Sequence, residues 1–270
     1  LDAWIAGHDL VVDAAAPYPV QRFCPTSPVE AQPLAYAEQR TRAILAATER
    51  HRARLVLISS FVTLPRPRFP WQHLRSQLIR AAHPYFAVKS LIESLVLDAA
   101  RAGLPAAVIN PSVCLGPWDI KQSEFCLIPQ LLRGQVLAAA TATINVVDVR
   151  EVARAAVAAA HSERYGWPIP VSGHNIQTHA LLERIAELGG TAAPRLRAPL
   201  SAGITAAYWA EAALALSGRP SPYPALVSML LGECYSMTIA REQHDLGALP
   251  RPLDHTLGDA IAWYRAIGYC

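Results

Sequence analysis

Leu55-Val56-Leu57-Ile58-Ser59-Ser60, followed after a proline- and arginine-rich excursion by His83-Pro84-Tyr85-Phe86-Ala87-Val88-Lys89, is the stretch that decides the fold. Four consecutive apolar residues ending in a hydroxyl pair read as a buried strand that leaves its sheet at Ser59 and Ser60. Pro84 suits the first position of a helix, where its missing N–H would have no intrahelical partner anyway. Tyr85 then falls in the first turn, and Lys89, at i+4, shares its face. A free tyrosine is a poor base at neutral pH. A lysine cation one turn away and the positive end of a helix both favour its charged form, which suits general acid–base work. Ser60 would hold a substrate hydroxyl or carbonyl against the phenol. In outline this is a proton-transfer site.

Two further apolar runs share the organisation. Leu10-Val11-Val12 runs into Asp13-Ala14-Ala15-Ala16-Pro17, and Pro105-Ala106-Ala107-Val108-Ile109-Asn110 into Pro111-Ser112-Val113. Ala35 to Arg50 and Pro84 to about Ala102 have helical length and pattern, the second stopped by Gly103. Strands alternating with helices of over a dozen residues predict βαβ units, hence an α/β fold with a parallel sheet and helices on both faces. Ligands of such sheets sit outside the carboxyl ends of the strands. The Asp13–Ala16 turn, Ser59-Ser60 and Asn110-Pro111 all fall at carboxyl ends and so converge on one edge.

Past Trp118 the pattern changes. A short helix over 127–133 and a strand over 143–147 precede a helix opened by Asp148-Val149-Arg150-Glu151 and running through Ala160. A last strand spans Ile169-Pro170-Val171-Ser172-Gly173, and Thr178 is expected to cap a helix that ends at Gly189-Gly190. Residues 195–240 read as helical, with Trp209, Tyr223 and Tyr235 as lid or core aromatics.

The order strand, Ser59-Ser60, loop, Tyr85-x-x-x-Lys89 helix resembles the extended short-chain dehydrogenase/reductase family, the NAD-dependent epimerase/dehydratase group. The nearest likeness is to its dihydroflavonol-reductase-like and hopanoid-associated sugar-epimerase-like branch. Asn110-Pro111 with Gly116-Pro117, and Asn145-Val146-Val147-Asp148-Val149-Arg150-Glu151-Val152-Ala153, extend the resemblance over essentially all 270 residues. It implies a Rossmann-like domain over 1–115 and 140–172 and a small, mostly helical substrate or lid region over 116–139 and 173–270. It implies Ser60, Tyr85 and Lys89 as the catalytic set and NAD or NADP as cofactor. The cofactor would touch Ala14, Ala15, Ser59, Tyr85, Lys89, Asn110, Pro111 and Val113. The small-molecule substrate, anionic or a nucleotide-sugar, would meet Ser60, Phe61 and Tyr85, with Arg66 and Arg68 able to grip a phosphate or carboxylate. Those two arginines, like Arg75 and Arg80, read equally well as solvated. Glu93 is expected to pair with Lys89 or a surface arginine. A homodimer is one open assembly.

Departures from the family's pattern are plain. Where it has an Asn-x-x-Gly-Thr-like element, this chain has Ala37, Arg40 and Thr41. Its Gly-x-x-Gly-x-x-Gly cofactor fingerprint is matched by none of the 14 glycines. The resemblance begins at the family's fourth strand, so roughly 60–70 residues are missing if each βαβ unit takes about 30. We therefore expect an amino-terminal truncation, with strands 10–12 and 55–58 deprived of neighbours and activity in doubt.

Composition narrows the classes. At 52% hydrophobic and 17% charged, the chain can bury a sizeable core. Its net charge of +3 is scattered rather than striped, against a nucleic-acid binder. No apolar run approaches the ~20 residues of a membrane span. Five cysteines at irregular spacing suit reduced thiols in the cytoplasm, and no histidine or cysteine cluster suggests a metal. The functional expectation is an NAD(P)-dependent oxidoreductase acting on a hydroxyl or carbonyl. Nucleotide-sugar epimerisation or dehydration through the same residues, and a non-catalytic dinucleotide-sensing or scaffold role, stay open beside it.

Overall fold

The computed structural model describes residues 2–15, 32–65, 70–119, 126–162, 165–219, 221 and 224–270. The chain divides into two compact units: residues 1–111, 152–171 and 239–248, and residues 112–151, 172–238 and 249–270.

The first unit is a parallel sheet in the order β1 (Leu10–Asp13), β2 (Arg54–Ile58), β3 (Ala106–Pro111), β7 (Pro168–Val171). Register runs Val11 to Leu55, Leu57 to Val108 and Ile109 to Ile169. After a short α1 (Asp2–Ile5), helix α2 (Pro33–Arg50) crosses from β1 to β2. A 3-10 turn (Phe61–Thr63), α3 (Pro70–Ala82) and α4 (Pro84–Arg101) link β2 to β3. Every residue of β3 is buried, as an interior parallel strand requires. Ile44 of α2 and Val88, Ile92 and Val96 of α4 pack on Leu55, Leu57, Ala106 and Val108. On the opposite face Val56, Ala107 and Ile109 are buried too. This is the Rossmann-like α/β architecture expected. One expectation needs correction: the strand over 55–58 is paired on both sides, by β1 and β3, and among the described residues the edges of this sheet are β1 and β7. Val12 on β1 is 47% exposed.

The second unit holds a three-stranded sheet of β4 (Val113–Leu115), β6 (Thr143–Asp148) and β8 (His174–Gln177) and a pair, β5 (Ala138–Thr141) with β9 (Leu196–Pro199). Around them lie α5 (Leu127–Leu132), α7 (Thr178–Gly189), α8 (Leu200–Ala215), α9 (Ala225–Glu233) and α11 (Leu253–Ala266). Helix α6 (Val149–Ala160) carries the chain out of this unit, and α10 (Arg241–Asp245) belongs to the first. The core joins Ile128, Leu131, Ile144, Leu181, Ile185, Leu257 and Ile261.

Several readings change here. Residues 195–240 include β9 and a non-helical stretch after α9. Trp209 is 66% exposed and no core residue, while Tyr223 lies outside the described residues. Thr178 is the first residue of α7 rather than its cap, and its hydroxyl donates to the Ala142 carbonyl at 3.0 Å. Gly190 does close that helix in the left-handed conformation, φ 66°.

Two features of this unit yield tests. A Cβ on Gly173 would stand 2.1 Å from the Val146 carbonyl oxygen. Gly173→Ala must therefore push backbone apart, and urea unfolding should show a loss of about 1–3 kcal/mol, as overpacking does. Asp148 has a fully buried side chain held by Arg150 at 2.7 Å. Burial pushes its pKa up, but the Arg150 guanidinium and backbone N–H and the Thr256 hydroxyl outweigh this and hold it below the ordinary value. A depressed carboxyl contributes stability above its unfolded pKa of roughly 3.9 and loses it as pH falls through the folded value. Asp148→Asn should thus flatten the acid limb of the urea midpoint below about pH 4 and leave its shape near neutrality unchanged.

Candidate active site

The site is built where β2 and β3 end. Ser60, extended at φ −161°, caps the 3-10 turn, its Oγ accepting from the Val62 N–H at 3.4 Å. His83 caps α4 in the same manner, its Nδ1 accepting from the Tyr85 N–H at 3.2 Å, with Pro84 next as read from the sequence. These two caps fix where the strand end and the helix begin. Along α4 the buried face carries Tyr85, Lys89 and Glu93 at successive four-residue steps, between Phe86, Val88, Ile92 and Val96. Tyr85 is 6% and Lys89 8% exposed, and Ser59 and Ser60 are buried as well. Helix α4 packs against both the 3-10 turn and β3.

Glu93 is the unexpected member. Its Oε2 accepts the Ser59 hydroxyl, the Thr63 hydroxyl at 2.6 Å and the Asn110 amide at 2.6 Å. These take the place of the surface-arginine partner expected. The two Asn110 amide protons are shared between Glu93, the Ser60 carbonyl at 3.1 Å and Thr63 Oγ1 at 2.9 Å, and the one Thr63 hydroxyl proton between Glu93 and the Ser60 carbonyl at 2.7 Å. Asn110 Oδ1 is buried with no hydrogen-bond partner. Thr63 and Glu93 were missed as site members, although a glutamate continuing the buried face of an apolar helix was a signal in plain view.

The other expected residues are placed as follows. Phe61 is buried in the 3-10 turn, and Pro111 is buried at the end of β3. Val113 lies in β4 of the second unit. Ala14 and Ala15 follow β1 and are exposed; the Ala15 N–H donates to Asp13 at 3.3 Å. Arg66 and Arg68 lie outside the described residues. Arg75 is exposed, whereas the Arg80 guanidinium donates to the Val62 carbonyl and lies over the Phe86 ring, 6.0 Å from its centre. Arg80 thereby ties α3 to the 3-10 turn. Arg40, standing where a glycine was expected, makes a two-pronged pair with Asp13 at 2.7 and 2.8 Å. Hydrogen bonding to Asp13 raises the Arg40 pKa against the cost of its burial.

No family model matches the chain. A putative dihydroflavonol 4-reductase of Synechocystis is 31% identical over 196 residues, 68% of this chain and 55% of that protein. The sterol demethylase protein B of Methylococcus capsulatus is 26% identical over 187 residues, 68% of this chain and 57% of that protein. These likenesses support assignment to the extended short-chain dehydrogenase/reductase family. The chain spans little over half the length of these two relatives. Among solved structures, a nucleoside-diphosphate-sugar epimerase from Pseudomonas aeruginosa has a TM-score of 0.67 at 22% identity, covering 99% of this chain and 80% of that one. A UDP-glucuronic acid 4-epimerase variant from Bacillus cereus, solved with a UDP-sugar analogue and NAD, has a TM-score of 0.68 at 15% identity, covering 98% and 78%. Both share the fold. No helix among the described residues is long and apolar enough to cross a membrane.

The Asp13–Arg40 pair makes its own test. Asp13→Ala leaves a largely buried guanidinium without its carboxylate and should cost about 2–4 kcal/mol in urea unfolding. Removing both charges with Asp13→Ala/Arg40→Leu should cost less than the sum of the single changes, because the second removes the group the first left unpaired.

Proposed function

We propose that this chain carries the proton-transfer site of an NAD(P)-dependent oxidoreductase acting on a hydroxyl or carbonyl of a small molecule. The observation that carries this reading is the burial of Tyr85 and Lys89 on a side of α4 that continues to Glu93 and its hydrogen bond from Ser59 at the end of β2. Burying a lysine among apolar residues is costly, and a fold retains such a group where its charge is used.

The residues fit the nicotinamide half of the cofactor. Asn110 Oδ1 is a buried acceptor without a donor, and a carboxamide N–H would satisfy it. Lys89 would hold a ribose hydroxyl. When bound, the cofactor supplies the hydride chemistry, and the protein supplies position and electrostatics. Tyr85 gives a proton to the substrate oxygen in reduction and takes it back in oxidation. Lys89, one turn away, favours the phenolate that this exchange leaves behind. Ser60 donates to the same substrate oxygen and fixes its direction toward the phenol. The pyrophosphate end is less well furnished: the glycine-rich fingerprint is absent from this sequence, and Ala14 and Ala15 offer only small side chains beside the neutralised Asp13.

The reading is tested in both directions, with NADH and NADPH as hydride donors to a dihydroflavonol as carbonyl probe, and with NAD+ and NADP+ as hydride acceptors from UDP-glucose as hydroxyl probe. Tyr85→Phe removes one hydroxyl and keeps the ring, so its fold should survive while kcat falls by at least about 10²-fold. Lys89→Met should lower kcat similarly and also weaken dinucleotide binding. Near-wild-type turnover in Tyr85→Phe, with dinucleotide still bound, would sink the mechanism.

A further inference from the structure

Glu93 lies one helical turn beyond Lys89 and two beyond Tyr85, and it is 6% exposed. It is therefore no solvated surface acid. Its Oε2 gathers donors from three separate pieces of the chain: Ser59 at the end of β2, Thr63 in the 3-10 turn and Asn110 at the end of β3. All three groups bonded to that oxygen donate, which is what an acceptor-only carboxylate needs. Two of the three also lie against Ser60: the Asn110 amide donates to its backbone carbonyl at 3.1 Å, and the single Thr63 hydroxyl proton is shared between Glu93 and that carbonyl, 2.7 Å away. The carbonyl of Ser60 is thus held while its hydroxyl oxygen caps the turn by accepting from the Val62 N–H. Glu93 is the one group of this network that belongs to α4, the helix bearing Tyr85 and Lys89.

We propose that Glu93 is a positioning residue that sets the Ser60 hydroxyl against the Tyr85–Lys89 face by clamping the ends of β2 and β3 to α4. This rests on the proton-transfer reading above. Glu93 touches neither substrate nor cofactor; it acts through Ser59, Thr63 and Asn110. A misplacement of about 1 Å in such a site can cost on the order of 10²-fold in rate. A glutamine keeps an acceptor of the same shape with weaker, uncharged bonds, whereas alanine removes the acceptor that joins all three donors to α4.

The experiment compares Glu93→Ala, Glu93→Gln, Ser60→Ala and the double variant Glu93→Ala/Ser60→Ala, each assayed with its dinucleotide on the dihydroflavonol and UDP-glucose probes. Glu93→Ala should lower kcat by about 10-fold or more with the NADH dissociation constant little changed, and Glu93→Gln should recover most of the loss. The double variant should be little worse than Ser60→Ala alone, because both changes disable the same group. Hydrogen exchange should show the Val62–Leu64 amides losing protection in Glu93→Ala while those in the body of α4 keep theirs. Where Glu93→Ala does not fold, Thr63→Val removes one clamp donor and carries the same comparison. Losses that add fully in the double variant, or wild-type turnover in Glu93→Ala, overturn the positioning role. Undiminished turnover in Tyr85→Phe brings down the proton-transfer reading instead, and unchanged exchange at Val62–Leu64 shows separately that Glu93 holds nothing.

Discussion

A carboxylate buried at the carboxyl end of a parallel sheet is tolerated only if donors close around it, since an unpaired buried charge costs several kcal/mol. Glu93 meets that demand by drawing in the ends of two neighbouring strands and the turn that follows one of them. The demand works in both directions. It fixes the rotation of α4, because a helix turned by one residue would carry Glu93 away from Ser59 and Asn110. Once that rotation is set, Lys89 and Tyr85, four and eight residues earlier, are held on the same buried side of the helix. The apolar residues Val88, Ile92 and Val96 supply the burial energy, yet alone they would permit small changes of rotation; the polar network does not.

Much of the first unit could be read from residues alone. Interior parallel strands are continuous apolar runs, and Leu55–Ile58 and Ala106–Ile109 stand out for that reason. Pro84 and Gly103 mark the ends of α4 through backbone chemistry that needs no partner. The second unit was harder. Its strands β4, β5, β8 and β9 are three or four residues long and exist because distant segments pair. Ala138 pairs with Leu196 and Thr143 with Gln177, and no local pattern announces either. The same holds for the amide exchange in which Asn145 bonds Gly173 and Asn175, and Asn175 in turn bonds the Met237 backbone. Such pairs are decided by which segments happen to meet.

At the site, residue types were legible and their partners were not. Glu93, one turn beyond Lys89, was expected to pair with that lysine or with a surface arginine, not to gather neutral donors from two strand ends. What brought those donors in was burial of the whole face, which depends on two strands lying beneath it. Arg40 teaches the same lesson. Read against a family pattern it looked like a lost glycine; in three dimensions its long side chain reaches Asp13, 27 residues earlier, and satisfies a carboxylate that is 5% exposed. A substitution that adds a guanidinium and one that loses a small residue are here a single event.

The chain buries its acids by two means, an arginine as at Asp13 or neutral donors, and the difference bears on chemistry. Asp148 and Glu151 are met by arginines, Arg150 at 2.7 Å and Arg251 at 2.6 Å, so their charge is cancelled where it stands and the cluster serves packing. The Oε2 of Glu93 is met by two hydroxyls and an amide, which stabilise its charge without cancelling it. That leaves a negative centre one turn from the Lys89 ammonium, on a face from which water is largely excluded. Opposite charges attract more strongly in such surroundings than at a surface. An arginine in place of Asn110 or Thr63 would satisfy Glu93 equally well and remove that attraction. The choice of neutral donors is therefore what lets one buried carboxylate both hold the strand ends together and favour a cation beside the tyrosine.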